Sequence, residues 1–330
     1  MNGHNLLLTE DLRSLHGKNI FITGGTGFFG KSLLDRFQKA KEHGIRIRLG
    51  VLSRNPQSFV DKFPSLSVGV HFYQGDIVDF VFPEESFDYI IHAGTQASAK
   101  MNEESPALML NSIIDGMRRV LDFSKKCGAK RVLHTSSGAV YGEQPTEVEL
   151  ICEDDRFAPP TNCYKSAYGE GKRVAELMGT IFARDTGIEV MNARCFAFLG
   201  PYLPLDMHFA IGNFILNGIR GEDILIKGDG TPRRSYMYSD DLVDWLLAIL
   251  VRGRNGESYN VGSNISHSIK SVAEHVVKFF PNSKIKILSK PTNDKPKRYV
   301  PNIDKVLNEF NLDFEKDLNK IIKKYLHLKI

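Results

Sequence analysis

The chain has 330 residues, enough for two domains at about 150 residues each or for one large α/β unit with an appendage. Hydrophobic residues make up 42% and charged residues 25%, which excludes a disordered chain, a collagen-like chain and a disulfide scaffold. Lys and Arg number 43 against 39 Asp and Glu, and a net charge of +4 suits an anionic small ligand but is too weak and too dispersed for a nucleic-acid-binding face.

No cationic-then-apolar leader opens the sequence, because Glu10, Asp11 and Arg13 interrupt it. No run approaches the roughly 18 apolar residues that span a bilayer. Cys127, Cys152, Cys163 and Cys195 form no CxxC pair, so the expectation is a cytoplasmic protein with free thiols, no metal and no membrane partner. Asn264-Ile265-Ser266 fits a glycosylation pattern by chance in such a chain.

The residues before Gly17 form a short extension with helical character. From there, runs that are apolar through the middle alternate with longer helical segments. Strands are expected at 19–23, 46–53, 68–73, 88–92, 131–135 and 189–195, and helices at 31–43, 106–127 and 168–186. That alternation predicts a parallel sheet covered by helices. After Phe196, Gly and Pro punctuate 199–204 and 227–232, and helices are expected at 240–252, 269–280 and 313–325. The predicted division is 1–195 and 196–330, with the chain crossing back between the two parts.

The first strand ends in Thr23-Gly24-Gly25-Thr26-Gly27-Phe28-Phe29-Gly30, followed by a helix. Strand, glycine turn and helix in that order form a dinucleotide-binding fingerprint. Gly24 makes the tight turn, Gly27 lets backbone approach a pyrophosphate, and Gly30 lets the helix pack on the sheet. Helix N–H groups then hold the anion, with Thr26, Phe28 and Phe29 lining the loop. At the end of the second strand, Leu52-Ser53-Arg54-Asn55 has no carboxylate for ribose hydroxyls. Arg54 is placed either to face a 2′-phosphate or to be a solvated cation, so the cofactor is NAD or NADP with a modest preference for NADP. Asp76 and Ile77 follow the third strand, where adenine is bonded in such folds; Asp76 is equally placed to cap a turn.

The fifth strand ends in Thr135-Ser136-Ser137-Gly138-Ala139-Val140-Tyr141-Gly142, and Tyr168-Gly169-Glu170-Gly171-Lys172 opens a long helix. Tyr168 and Lys172, four residues apart, share a helix face. A nearby ammonium favours tyrosinate, which suits Tyr168 to exchange a proton with a substrate hydroxyl while a nicotinamide exchanges hydride. Ser137 can bond the same oxygen.

With these motifs the chain resembles the extended short-chain dehydrogenase/reductases, specifically the NAD-dependent epimerase/dehydratase family that acts on nucleotide sugars. The matching segments are TGGTGFFG, IIHAG at Ile90–Gly94, SSGAVYG, YGEGK, the run from Gly228 through Arg234 to Leu242, and Tyr259-Asn260-Val261-Gly262. The YGEGKRVAE stretch looks closest to the UDP-glucuronate decarboxylase branch. The resemblance implies a Rossmann doubly wound parallel sheet, a smaller C-terminal α/β domain for a nucleotide-diphosphate sugar, and a homodimer formed through paired helices. It implies catalytic Ser137, Tyr168 and Lys172, with Tyr168, Lys172 and Ala93 also touching cofactor. It further implies Arg234 and Arg298 on the substrate diphosphate, Asn213 supplying an amide, and a pocket wall, including Thr95, drawn from 95–100, 201–213 and 227–236. Cys163 and His208 fall near that wall, with structural roles the simpler expectation.

Departures from the family pattern bear on the reaction. Its 4,6-dehydratases carry Asp-Glu where this chain has Gly138 and Ala139, and its decarboxylases carry Glu at Ala139. Glu143 and Glu170 are the nearest carboxylates in sequence, both expected to be solvated. Ala197 stands where a diphosphate-contacting Asn is usual, and Asn302 stands for an Asp. The expectation is an enzyme transferring hydride at C4 of a nucleotide hexose, as a 4-epimerase or 4-ketoreductase. A dehydratase or decarboxylase with another base is the alternative, and a dinucleotide-binding regulatory module is a third.

Overall fold

The computed structural model describes residues 9–95, 99–205, 209–290 and 295–328. The strands of the first half are β1 (Asn19–Thr23), β2 (Arg48–Ser53), β3 (Val70–Gln74), β4 (Tyr89–His92), β5 (Arg131–Ser137) and β6 (Glu189–Cys195). With a seventh strand, Ser258–Val261, they form one sheet in the order Ser258–Val261, β6, β5, β4, β1, β2, β3. β1 pairs in parallel with both β2 and β4, β2 with β3, and β4 with β5. The order 3-2-1-4-5-6 is that of a doubly wound dinucleotide fold, with its topological switch between β1 and β4. The seventh strand was not expected: it is four residues long, and its apolar run has no period to mark it.

The chain folds into two compact units. One comprises Met1–Val140, Ala158–Arg194 and Val243–Tyr259; the other comprises Tyr141–Phe157, Cys195–Leu242 and Asn260–Ile330.

In the first unit, the core gathers Phe21 of β1 with Phe80, Phe87 and Phe123. The Phe21 ring lies 4.7 Å from Phe123 and 5.1 Å from Phe87. Each such ring stabilises the fold by about 2–3 kcal/mol through burial. The helix Pro106–Cys127 has Pro at its first turn and ends at Gly128, φ 74°, as the sequence pattern predicts. The helix Ala167–Thr186 ends likewise at Gly187, φ 76°. Gly171 and Gly179 let these two helices and β6 close up, since a Cβ at either would lie 3.0 Å from Ile113 or 2.8 Å from Val190.

Some boundaries differ from expectation. The helix after the glycine loop begins at Phe28, immediately behind Gly27, rather than at Lys31. The helix from Ile269 stops at Val277, and the last helix begins at Leu318 because Asp317 caps it, accepting from Asn319 N. The N-terminal extension contains the helix Glu10–Ser14, capped by Thr9.

The second unit is built from short strands and helices. Arg233–Arg234 lies between His267–Ser268 and Arg298–Tyr299 in a three-stranded sheet. Tyr141 donates to Asn260 Oδ1 at 2.8 Å, and Asn260 Nδ2 donates to the carbonyls of Ile151 and Asn302. The SSGAVYG and YNVG motifs are thereby joined through buried polar groups. Cys127, Cys152, Cys163 and Cys195 are free thiols. Among the described residues, no helix is long and apolar enough to cross a membrane.

Candidate active site

The glycine loop has the geometry that its sequence requires. Gly24 has φ +70°, and a Cβ there would lie 2.3 Å from the Ala93 carbonyl oxygen. A Cβ on Gly30 would lie 2.2 Å from Gly25 Cα, so the first helical turn rests directly on the loop. Gly27 caps the helix Phe28–Glu42 in extended conformation, φ −81°, and is exposed. The first N–H groups of an α-helix have no acceptor within it, and Gly27 brings no side chain to supply one. This end therefore presents donors and the positive pole of the helix to an anion, and the loop fits a dinucleotide pyrophosphate. Thr26, Phe28 and Phe29 are half-buried around it.

Arg54 is exposed directly after β2. Its neighbour Asn55 is committed as a helix cap, accepting from Ser58 N at 3.1 Å. Asp76 caps its own turn, accepting from Val78 N at 3.3 Å, so its turn role is observed; its carboxylate stays half-buried after β3. Ile77 packs against Gly116. Ala93 N donates to Thr23 O at 3.1 Å, which seats the residue after β4 against the glycine loop.

Ser137 ends β5 and is 7% exposed. Its Oγ accepts from Ala139 N at 3.2 Å, which leaves the hydroxyl proton to be given elsewhere. The helix bearing Tyr168 and Lys172 comes to this point because of Gly169. A Cβ there would sit 2.6 Å from the Ala139 carbonyl oxygen, so only glycine lets the Tyr168 turn press against the end of β5. Tyr168 N donates to Asn102 Oδ1 at 3.0 Å, and Asn102 Nδ2 donates to Lys165 O at 2.8 Å. The helix's own cap, Ser166, is turned away to Pro160 O.

Lys172 is 1% exposed. Its Nζ donates to Thr135 O at 2.7 Å and to Thr95 Oγ1 at 2.9 Å, and stands 3.4 Å from His134 Nε2. Thr95, expected on the substrate wall, is a partner of Lys172. His134 and His92 are both held neutral: burial and then the Lys172 charge push His92 down to about 3 and His134 well below the usual range. Behind them, Glu176 is a buried carboxylate that takes a 2.5 Å bond from Ser136 and two from Arg194. It is a structural anchor between helix and sheet.

Glu170 pairs with Arg173 on the helix surface, and Glu143 pairs with Lys297 in the open. Neither is drawn into a buried catalytic position. Gly138 and Ala139 follow Ser137 as a short 3-10 turn.

In the second unit, Arg234 is half-buried over the Tyr299 ring, 5.8 Å from its centroid. Register pairs Arg298 with Arg233 and Tyr299 with Arg234, so Arg234 and Arg298 are offset by one position and point to opposite faces of this sheet. Arg298 also stands 4.0 Å from Glu149. Asn213 is exposed on the helix Ala210–Ile219. Asn302 Oδ1 accepts from Asp304 N and shapes the turn into the next helix. Cys163 is half-buried just before the Tyr164–Ser166 turn, and His208 lies outside the described residues, as do 96–98 and 206–208 of the expected pocket wall.

Sequence reasoning missed Asn102, His134 and Asn192, whose Oδ1 stands 3.1 Å from His134 Nδ1. Asn102 gives no local signal, and His134 stood unremarked inside the strand before the Ser motif.

Comparison with known proteins gives a family and a shared fold. The model of the NAD dependent epimerase/dehydratase family matches residues 20–262. UDP-glucuronic acid decarboxylase 6 of Arabidopsis thaliana is 28% identical over 298 residues, covering 87% of this chain and 81% of the relative. The fold is shared with UDP-glucose 4-epimerase of Thermotoga maritima, solved with UDP-glucose, at TM-score 0.78 and 24% identity over 94% of this chain and 98% of that one. It is shared also with dTDP-glucose 4,6-dehydratase of Bacillus anthracis, solved with NAD, at TM-score 0.77 and 20% identity over 94% of this chain and 96% of that one.

Proposed function

The chain belongs to the NAD-dependent epimerase/dehydratase family of enzymes, and from that premise we propose that it oxidises or reduces C4 of a nucleotide-linked hexose, as a 4-epimerase or a 4-ketosugar reductase. The observation that carries this reading is a Ser137, Tyr168 and Lys172 set whose strand end continues into Gly138 and Ala139, neither of which can move a proton.

The glycine loop, with Gly24, Thr26, Gly27, Phe28, Phe29 and Gly30, holds the cofactor pyrophosphate. Asp76, Ile77 and Ala93 line its adenosine side, and Lys172 bonds the nicotinamide ribose in place of Thr95 Oγ1, the one side-chain hydroxyl among its described acceptors. Arg54, exposed in a strand-end stretch, Leu52–Asn55, whose sequence holds no carboxylate, gives NADP a slight preference over NAD. NAD supplies the hydride acceptor when bound. Ser137 donates its hydroxyl proton to the sugar O4 and holds it. Tyr168, its phenol acidified by the Lys172 ammonium, takes the proton from that hydroxyl as the C–H bond breaks. In the reverse direction it returns the proton to the ketone oxygen.

The second unit, mainly 196–330, serves as the nucleotide-sugar domain. Arg234 and Asn213 bind the diphosphate, a guanidinium fork suiting phosphate oxygens; Arg298, on the opposite face of its sheet, is left out of that role, and Thr95 faces the sugar. Leu108, Leu177 and Ile181 are exposed on the paired helices Pro106–Cys127 and Ala167–Thr186, which fits a homodimer formed along them. The free thiols fit the cytoplasm.

A second reading, decarboxylation of a nucleotide hexuronate, is favoured by the likeness to UDP-glucuronic acid decarboxylases along most of the chain. Oxidation at C4 of a hexuronate gives a β-keto acid, which loses carbon dioxide without a further base. Water elimination, by contrast, needs the acid–base pair that Gly138 and Ala139 lack.

Incubating the protein and NAD with UDP-glucose, UDP-glucuronate and dTDP-glucose, and reading products by mass and retention, separates these reactions. An isomer of unchanged mass supports the 4-epimerase, and loss of carbon dioxide supports the second reading. Loss of water overturns both. Tyr168→Phe should lower turnover about 10²–10⁴-fold with NAD affinity unchanged; retained turnover refutes the assignment of the base.

A further inference from the structure

β6, β5, β4 and β1 are neighbours in that order, and at one level across them stand Asn192, His134, His92 and Thr23. All four are buried. Thr23 Oγ1 and His92 Nδ1 are 2.8 Å apart, and His134 Nδ1 and Asn192 Oδ1 are 3.1 Å apart. Between these pairs the two imidazoles stack, 5.5 Å between centroids and 19° between planes. A row of polar side chains on a buried sheet face is costly unless its members are paired, and here the pairing leads to Lys172.

An ammonium has three N–H donors and no acceptor. Among the described residues, the Lys172 ammonium meets Thr135 O, Thr95 Oγ1 and His134 Nε2. Because an ammonium can only donate, His134 must turn a lone pair to it from Nε2. The ring proton then lies on Nδ1, where Asn192 Oδ1 accepts it. Asn192 thus fixes the tautomer that Lys172 requires. Among the described residues, the titratable groups beside Lys172 are His92 and His134 from the strands, with Tyr168 and Glu176 one turn to either side on its own helix. Glu176 is already paired with Arg194. The helix Pro106–Cys127 meets this turn through Leu110 and Ile113, and the helix Ala99–Glu104 brings Asn102 to the Tyr168 backbone.

We infer that His134, its tautomer locked by Asn192, is a positioning residue that holds the Lys172 ammonium charged and aimed, and so sets from the sheet side the pH at which Tyr168 can act. The inference rests on the proton-transfer role proposed above for Tyr168 and Lys172. Without the imidazole acceptor, one buried N–H is left short and loss of its proton is favoured. A neutral lysine no longer acidifies the phenol.

The test compares wild type with His134→Phe, which keeps a ring to stack on His92 but removes the acceptor. His134→Gln, which restores a carbonyl acceptor, and Asn192→Leu, which removes the tautomer lock, complete the set. The first readout is the titration of the ¹⁵N-labelled Lys172 side chain by NMR, assigned with Lys172→Met, in protein without substrate. Its midpoint should fall by about one pH unit or more in His134→Phe, less in Asn192→Leu, and partly recover in His134→Gln. The second is the pH profile of kcat. Its acidic limb should move up by about one unit, with about a tenfold loss at pH 7 that disappears in alkali and little change in KM. An unmoved Lys172 midpoint in folded His134→Phe overturns the inference whatever the turnover; if that variant does not fold, an unmoved midpoint in Asn192→Leu does so. A moved midpoint in a protein whose wild type turns over no nucleotide sugar overturns instead the functional reading on which it rests.

Discussion

Gly27→Ala separates a glycine kept for a ligand from a glycine kept for the fold. Gly27 has φ −81° and ψ −172°, extended backbone open to any residue, and the nearest atom to an added Cβ would be Gly24 O at 3.3 Å. The neighbour must yield by only a few tenths of an ångström, and the helix exchanges a fair cap for a poor one, a loss of about 0.5–1 kcal/mol offset by the lower entropy of the unfolded chain. Stability should therefore change by less than about 1 kcal/mol. The methyl, however, stands on the exposed side of the loop, where the donors at the start of the Phe28–Glu42 helix face an anion. Charge-assisted hydrogen bonds contribute about 1.5–3 kcal/mol each, so displacing the pyrophosphate from one of them raises the Kd for NAD by about 10–100-fold. Calorimetric titration with NAD beside a thermal melt reads both quantities. A Kd within threefold of wild type would refute the placement of the pyrophosphate at this helix. Gly30→Ala is the contrast: its Cβ would meet Gly25 Cα at 2.2 Å, so that variant should lose stability and binding together.

Asn102→Ala removes the bonds to Tyr168 N and Lys165 O, worth about 1–2 kcal/mol together; its denaturation midpoint should fall and kcat should fall more than KM rises. Asn102→Asp, which keeps the acceptor for Tyr168 N, should recover part of the loss, and equal damage in both variants would contradict this role. Asp241 supplies a test in pH. Burial pushes its carboxyl up to about 6, against an ordinary value of 3.8, while the bond from Glu315 N opposes the shift. The folded state therefore holds this proton to higher pH than the unfolded chain, and the associated stability is present in full below pH about 4 and lost as pH rises through 6. Asp241→Asn, which can still accept from Glu315 N, should match wild type at pH 4 and exceed it at pH 8, by up to about 3 kcal/mol. Melts at both pH values check this, and equal differences at the two would contradict the assignment.

Much of the fold is local in origin and was legible without coordinates. Glycine spacing, strand-length apolar runs and helix-ending Gly128 and Gly187 each act over a few residues, so they survive in the sequence as pattern. The helix Pro106–Cys127 has the expected bounds for that reason, and the loop from Thr23 to Gly30 has the expected turn. The motifs that carry Ser137, Tyr168 and Lys172 could be read in the sequence, and the structure places Ser137 at the end of β5 and Lys172 buried in the helix Ala167–Thr186.

Other features belong to pairings that no window contains. The strand Ser258–Val261 is defined by lying beside β6, some sixty residues away in sequence, and the helix Ala210–Ile219 by the tertiary face that buries Ile211, Phe214 and Ile215. The row Asn192, His134, His92 and Thr23 exists only because four strands from distant parts of the chain share one register. Asn102 reaches Tyr168 across sixty-six positions. The sequence by itself determined which segments become strands and helices and which residue types carry the chemistry, since propensity, periodicity and turn geometry are properties of neighbouring residues. Only the tertiary structure decided which groups orient Lys172 and Tyr168, because hydrogen bonds and charge act through space and depend on a strand order that loop lengths and apolar runs leave open.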